Sequence, residues 1–505
     1  MPLYSSSTST ALRSEMSVDS VRCYHVSDLS ESQLESTTAK SSGPVYVVFP
    51  SPAWNDFPRD DASPVYQTTE YEYGAVSIVT TSSTRIRSSR TISKGDSWSF
   101  IACRSRGRLG LTHSPALTEA FCPNTLTFGF VRVGIVTPYY PPIVHGGGEI
   151  SVQLLANQLS SRVDSVEVFS FGGGDQSTVD GVTVHRFRKL PHQVMEVSNV
   201  FAYVALRRKL KRLASFDVLH AYNIALNPAV GRISSQMGVP SVATLNSYNL
   251  LPKSAFGVTA DPPRRLYELL AMTTTGRILR SETKRIDRFI TLSKASRDIY
   301  RENGFSDVSI DVVPNMFDPS FEVPEGDEST NGYQVLFVGS LITEKGVEYL
   351  IKAMSKLPSD VSLRVVGTGD QKDKLETLAC ELNVDSRVEF TGQIPYDRLR
   401  KYYATADLFV HPGVWPEPFG RTLLEAMQAG LPVVTTDIGG PSEIVPQDEL
   451  RCPPRDPTAL AETISLAREQ TGIGTENRAY VTERYSPQSV VDQLCDVYRT
   501  AIDGC

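Results

Sequence analysis

Clustered cysteines are missing from this sequence. Its seven cysteines (Cys23, Cys103, Cys122, Cys380, Cys452, Cys495 and Cys505) form no CxxC and stand beside no histidine at metal-ligand spacing. An odd, scattered set argues against a disulfide framework or a zinc ribbon and fits reduced thiols, so a cytoplasmic compartment is expected. Also absent is any run of about 18 apolar residues, so no segment reads as a membrane-spanning helix. No charged-then-apolar stretch opens the chain, so no secretory signal is read. Positive charge is not in excess either. Fifty Lys and Arg stand against 57 Asp and Glu, a net charge of −7 spread along the chain. Without a global basic field, nucleic acid is not expected as the main partner.

What is present is length: 505 residues are too many for one hydrophobic core, and roughly three units of about 150 residues are expected. The first of these differs in kind. Residues 1–130 contain 39 Ser and Thr, and runs such as SSSTST hold neither period 2 nor period 3.6 for long. Such a segment buries little apolar surface, so we read it as a disordered extension or as upstream sequence taken for protein. Two short strand-like pieces, VYVVF and AVSIVTT, interrupt it.

From Val131 onward, short apolar runs alternate with amphipathic segments. RVGIVTPY, SVEVFSF, DVLHAYN, PSVATLN and RFITLS read as strands, with helices such as EISVQLLANQLSS between them. This predicts a parallel, helix-covered α/β sheet over 131–320. DPSFEVPEGDESTNG is rich in Pro, Gly and acids and reads as a linker. A second alternation from YQVLFVGSL to LPVVTTD predicts another such domain over 333–485, and SPQSVVDQLCDVYRTAID (within 486–505) a closing helix. The fold class is therefore α/β, two doubly wound Rossmann-like domains. Ligands of such sheets bind beyond the carboxyl ends of the strands, which makes the cleft between the domains the expected site.

Three stretches carry chemistry at those ends. VTPYYPPIVHGGGEISVQLL (136–155) runs from strand through Gly146, Gly147 and Gly148 into a helix. Glycines let backbone amides approach an anion at a helix start, yet a glycine triplet there also serves as a plain turn. It is not the dinucleotide fingerprint, since GxGxxG is absent from it. FVGSLITEKGVEYL (337–350) places Gly339 and then Lys345 at a strand-to-helix loop. That lysine either meets phosphate oxygens as a point charge or is simply solvated. HPGVWPEPFGRTLLEAMQAGLPVVTT puts Glu417 before a helix starting near Arg421, and Glu425 one turn inside it. The free amides of Arg421 and Thr422 suit a diphosphate, and each carboxylate can accept two sugar hydroxyls. The competing reading leaves Glu425 in solvent as an ordinary helix former. No Asp/His cluster stands at metal spacing, so neither a metal nor another cofactor is expected.

Taken together, PPxxxGGGE, VGSLxxEKG and EPFGRTLLEAMQAGLPVV resemble the retaining nucleotide-sugar glycosyltransferases of family 4, which have the GT-B fold. The resemblance covers about residues 131–504, and the two glutamates eight positions apart are its most specific element. It implies catalytic roles for Lys345, which would stabilise the departing nucleoside diphosphate, and for Glu417, which would contact the transferred sugar. Glu425 would bind the donor ribose. Gly147, Gly148, Gly339, Ser340, Phe419, Gly420, Arg421 and Thr422 would line the sugar and diphosphate, and Gly392 and Ile394 the base. The partners implied are a nucleotide-sugar donor and a glycan or lipid-linked acceptor, as in surface polysaccharide or glycolipid synthesis. The chain departs from the pattern at Ser340, where the family often has Arg. It departs again at Tyr222 and Asn246, where histidines are frequent. Arg421 is a candidate replacement for the missing cation. His220 and Asn246 remain candidate site residues, His220 being equally well read as a core histidine. These departures keep a catalytically weakened nucleotide-sugar-binding protein as the alternative, beside another GT-B enzyme such as an epimerase.

FAYVALRRKLKRLAS (201–213 at its core) sets Phe201, Leu206, Leu210 and Leu213 among five basic residues. It reads either as a packed helix with a solvated basic face or as a peripheral contact with an anionic membrane.

Overall fold

The computed structural model describes residues 131–504 apart from 192–194, 259–261 and 324–331, together with short strands before residue 112. It divides into two compact units, Met1–Thr125 and Leu126–Cys505. In the first unit Val45–Pro50 pairs antiparallel with Val76–Thr80, so both strand-like pieces form strands. The expectation of a disordered extension falls on residues outside those described.

The second unit holds two sheets. The first is built from β1 (Arg132–Thr137), β2 (Ser165–Ser170), β3 (Ser177–Val179), β4 (Val182–Arg186), β5 (Val218–Tyr222), β6 (Ser241–Leu245), β7 (Arg288–Thr291) and β8 (Ile310–Val312). Its order is β8-β7-β6-β5-β1-β2-β4-β3, parallel throughout except for the β3–β4 hairpin. The second sheet comprises β9 (Tyr333–Val338), β10 (Val361–Val366), β11 (Val388–Gly392), β12 (Leu408–His411), β13 (Val433–Thr436) and β14 (Arg451–Cys452). Its order is β11-β10-β9-β12-β13-β14, all parallel. Every residue of β5, β6, β12 and β13 is buried. Helices cover both faces of such sheets, which is why these strands read as continuous apolar runs and not as alternations.

The strand orders locate the crevices. In the second sheet the chain winds from β9 outward through β10 and β11, then returns to β12 on the other side of β9. Loops leaving β9 and β12 must therefore part, and a crevice opens at their carboxyl ends. The same reversal occurs between β1 and β5 in the first sheet.

Two local readings are corrected. The Pro-, Gly- and acid-rich stretch is not a free linker at its start: Phe321 is buried in the core of the second half. Burying such a ring stabilises by roughly 1.5–3 kcal/mol, enough to hold the chain down. The basic stretch forms two helices, Met195–Arg207 and Leu210–Leu213, broken where Lys209 leaves helical geometry. Leu206 and Leu213 lie in the core of the first half and Leu210 packs against it, leaving Phe201 alone of the four exposed. That leucine stripe is the packed side.

The helix Pro487–Asp503 returns to the first half. Its start is capped by the Ser486 side chain, which accepts from Ser489 N–H, with Pro487 in the first turn where no amide is needed. Val490, Val491, Leu494 and Tyr498 then join Val133, Ile135 and Val218 in one core. The two passages of chain between the halves are tied together, Phe317 N–H donating to the Tyr485 carbonyl at 3.1 Å.

Candidate active site

Leaving β9, the chain makes a short turn at Thr343–Lys345 and then passes through Gly346 with φ +69°. A Cβ on Gly346 would overlap the carbonyl oxygen of Pro412, just beyond β12. Val414 N–H also donates to Glu344 O at 2.9 Å, so the two loops at the switch point are pressed together. Only a glycine permits both the left-handed backbone and the close approach. Gly346→Ala is therefore expected to cost about 3 kcal/mol of stability, from left-handed strain plus overlap. Urea unfolding checks this, and a loss below about 1 kcal/mol would contradict the strain argument.

That contact brings Lys345 to Glu417. The ammonium lies 2.7 Å from both carboxylate oxygens, with the side chains 18 % and 19 % exposed. On the other side, His411 Nε2 is 3.0 Å from Glu417 Oε2, and His411 is buried at the end of β12. Burial opposes charge on Glu417, but Lys345 and His411 outweigh it and hold the carboxyl down at about 2. Glu417 is thus an ionised carboxylate clamped between two nitrogen groups at the mouth of the crevice.

Glu425 is built differently. It points inward from the helix Arg421–Gln428 and is 4 % exposed. Tyr403 donates to its Oε2 at 2.8 Å, and Arg421 Nε is 3.4 Å from its Oε1. Burial raises its pKa above the ordinary value against the pull of Arg421 and Tyr403. The solvent-facing reading of Glu425 does not hold. Arg421 in turn donates to Tyr396 OH at 3.0 Å and, from the second half to the first, to Ser151 Oγ at 3.2 Å. It bridges three neighbours, Glu425, Tyr396 and Ser151, while Ser340 is exposed.

The glycine loop of the first half meets this bridge. A Cβ on Gly147 would lie 3.3 Å from Arg421 Cδ, and one on Gly148 would lie 4.0 Å from Asn246 Nδ2. Asn246 Oδ1 is buried without a hydrogen-bond partner among the described residues, so it has capacity left for a ligand. Gly420 caps the helix that Arg421 starts, Thr422 is half-buried beside it, and Phe419 is buried in the core of the second half. Gly339 follows β9 directly, its N–H donating to Val366 O at 3.0 Å. Gly392, with φ +75°, closes β11 facing open space, and Ile394 packs on the second half's core. His220 resolves as a core residue. Its Nδ1 is 2.7 Å from Tyr498 OH and its Nε2 2.8 Å from Thr244 Oγ1. Burial pushes its pKa down to about 3, so it is neutral, and both nitrogens are occupied.

Four further residues belong to the site that the sequence reading left out. His411 was visible as the polar end of DLFVHPG, six positions before Glu417. Tyr396 and Tyr403 stand seven apart on the helix Tyr396–Ala404, a spacing that sets both on one face toward Glu425. Glu443 makes a second bridge between the halves, accepting from Lys294 N–H at 2.9 Å and Ala295 N–H at 2.6 Å at the start of the helix Lys294–Tyr300. A carboxylate there satisfies orphan amides and favours the positive helix end.

Comparison with known proteins matches this architecture. The family described as glycosyl transferases group 1 matches residues 321–484, and the glycosyl transferase 4-like domain matches residues 146–316. An uncharacterized glycosyltransferase of Methanocaldococcus jannaschii is 29 % identical over 74 % of this chain and 99 % of its own length. A glycogen synthase of Mycobacterium tuberculosis is 28 % identical over 74 % of this chain and 96 % of its own. Among solved structures, the sucrose-phosphate synthase of Thermosynechococcus elongatus shares the fold, with TM-score 0.64 and 21 % identity over 74 % of this chain and all of its own. An Anabaena protein in complex with UDP and glucose does so with TM-score 0.58 and 22 % identity, over 73 % of this chain and all of its own.

Proposed function

For a chain that belongs to the GT-B glycosyltransferases of family 4, we propose transfer of a sugar from a nucleotide-sugar donor to a glycan or lipid-linked acceptor, with retention of configuration. The observation that carries this reading is the pairing of Lys345 with Glu417 at the switch point, beside the helix that buries Glu425. Glycosyl transfer passes through an oxocarbenium-like state while charge builds on the departing diphosphate. An ammonium has three protons, of which Glu417 takes two here, leaving one to meet a phosphate oxygen. The free amides of Arg421 and Thr422 add fixed dipoles at the same place, where the charge develops. We take Lys345 to supply the cation for this step, so the reaction as proposed calls for no metal. Glu425 would hold the ribose, and Glu417 the hydroxyls of the sugar that moves. The UDP and glucose bound by the Anabaena neighbour are consistent with a donor of this class.

A thermal-shift screen against UDP-, GDP- and ADP-glucose tests the donor. One of them at about 100 times its Kd is expected to stabilise the fold by about 2.7 kcal/mol. No shift with any nucleotide sugar would overturn the reading. The exposed Ser340 keeps a second reading in view, in which the protein binds the donor without turnover. NMR of the product formed with a supplied acceptor distinguishes them: transfer with an unchanged anomeric configuration supports the enzyme.

A further inference from the structure

Eight of the eleven large hydrophobic side chains exposed among the described residues sit on three neighbouring helices of the first half. On the helix Met195–Arg207 they are Val197, Val200, Phe201 and Val204, with Val200 63 % and Phe201 58 % exposed. Their spacing of three, four and seven sets them in a single stripe. It is a different stripe from the leucines that anchor the same helix. Leu266, Leu269 and Leu270 stand out from the helix Pro262–Leu270, and Ile278 from the helix Thr275–Thr283. Glu196 ties the three helices together, its carboxylate accepting from Tyr267 OH at 3.2 Å and from Thr275 Oγ1 at 2.8 Å. Apolar surface gathered this way on a soluble face marks a place where something docks.

Charge says what docks. Residues 195–213 and 262–285 contain eleven Lys and Arg against three Asp and Glu, in a chain whose net charge is −7. The three acids are turned inward to partners: Glu196 as above, Glu268 with Arg264 and the Lys253 N–H, Glu282 with Arg285. Arg207, Arg208, Lys209 and Lys211 remain exposed at the end of the apolar stripe. A second copy of this chain across the same face would set basic residues against basic residues. A surface of anionic headgroups over an apolar interior complements both features. We propose that these three helices form a docking surface for an anionic lipid bilayer, with the apolar side chains entering the headgroup boundary and the basic ones meeting the headgroups. This goes beyond the transferase reading and does not depend on it.

Sedimentation of the full chain with vesicles tests the surface. Binding to phosphatidylglycerol–phosphatidylcholine vesicles at low salt is expected to exceed binding to phosphatidylcholine alone by about tenfold, and to weaken in high salt. The pair Val200→Glu with Phe201→Glu, and separately Leu269→Glu with Leu270→Glu, should each cut bound protein about tenfold. Both should leave the thermal unfolding midpoint unchanged, since these side chains are exposed. No binding of the wild type to anionic vesicles would overturn the proposal, as would equal binding by both glutamate pairs. Self-association abolished by those pairs, without vesicle binding, would assign the face to a second copy and overturn it as well. None of these outcomes bears on donor binding.

Discussion

Lys345→Ala should lower the rate of donor turnover by about 10²–10³-fold while changing donor Kd only severalfold, because in the proposed reaction the ammonium would meet charge that appears fully only in the transition state. Single-turnover release of nucleoside diphosphate, set against Kd from calorimetry, separates the two quantities. A turnover loss smaller than tenfold would contradict the role. The substitution has a second signature. Glu417 would lose its main ion partner and keep only His411, so its carboxyl should rise from about 2 toward its ordinary value. In the wild type this depressed carboxyl stabilises the fold above the unfolded-state value near 4.5, and that stability is lost as pH falls toward 2. Lys345→Ala should therefore flatten the acid limb of the stability profile. Lys345→Arg will not restore full turnover, since a planar fork cannot reproduce one compact charge shared between carboxylate and phosphate.

Glu425→Ala is the second large effect, and it falls on binding. A ribose diol donating to a buried carboxylate makes charge-assisted hydrogen bonds of about 1.5–3 kcal/mol, so donor Kd should rise about ten- to a hundredfold with turnover at saturation less affected. Glu425→Gln keeps the shape and keeps Arg421 from facing an empty space, so it controls for packing. The pH dependence runs opposite to that of Glu417. Burial raises the folded-state pKa of Glu425, so its contribution to stability is fully present below about 4.5 and is lost as pH rises through that raised value. Donor affinity should strengthen over the same rise, as the acceptor carboxylate forms, and Glu425→Gln should abolish that dependence. Equal losses of binding and turnover in Glu417→Ala and Glu425→Ala would contradict this division of labour.

Much of the architecture was legible because it is written locally. Continuous apolar runs such as LFVH and PVVTT announce buried parallel strands, and EPFGRTLLEAM announces a helix start carrying two carboxylates. The links between elements were not local. That His411 faces Glu417, and that Lys345 does so from the other side, follows from β12 lying beside β9 across the reversal of strand order. No spacing in the chain records that adjacency. Tyr396 and Tyr403 were readable as one helix face, but what that face meets is decided by packing of the helix against Glu425. The basic stretch shows a different failure. Its leucine period marks the face that the core claims, and the surface apolar residues lie on a valine and phenylalanine stripe that begins upstream of residue 201. The Thr run before Gly276 likewise gives no periodic signal for the two helices on either side of it.

The return of the helix Pro487–Asp503 to the first half means that the second half is connected at both of its ends to the same body. A body held by one strand can swing and spin about it. One held by two adjacent strands, here stitched by Phe317 N–H to the Tyr485 carbonyl, behaves as a door with paired pins. A motion about the line of those pins would leave the stitch between Phe317 and Tyr485 intact. Spinning about the perpendicular would shear them apart and break the stitch. Arg421–Ser151, Glu443–Lys294, Lys253–Glu344 and the packing of Trp415 on Tyr248 and Phe256 all join the halves, so any widening of the crevice has to part these contacts together.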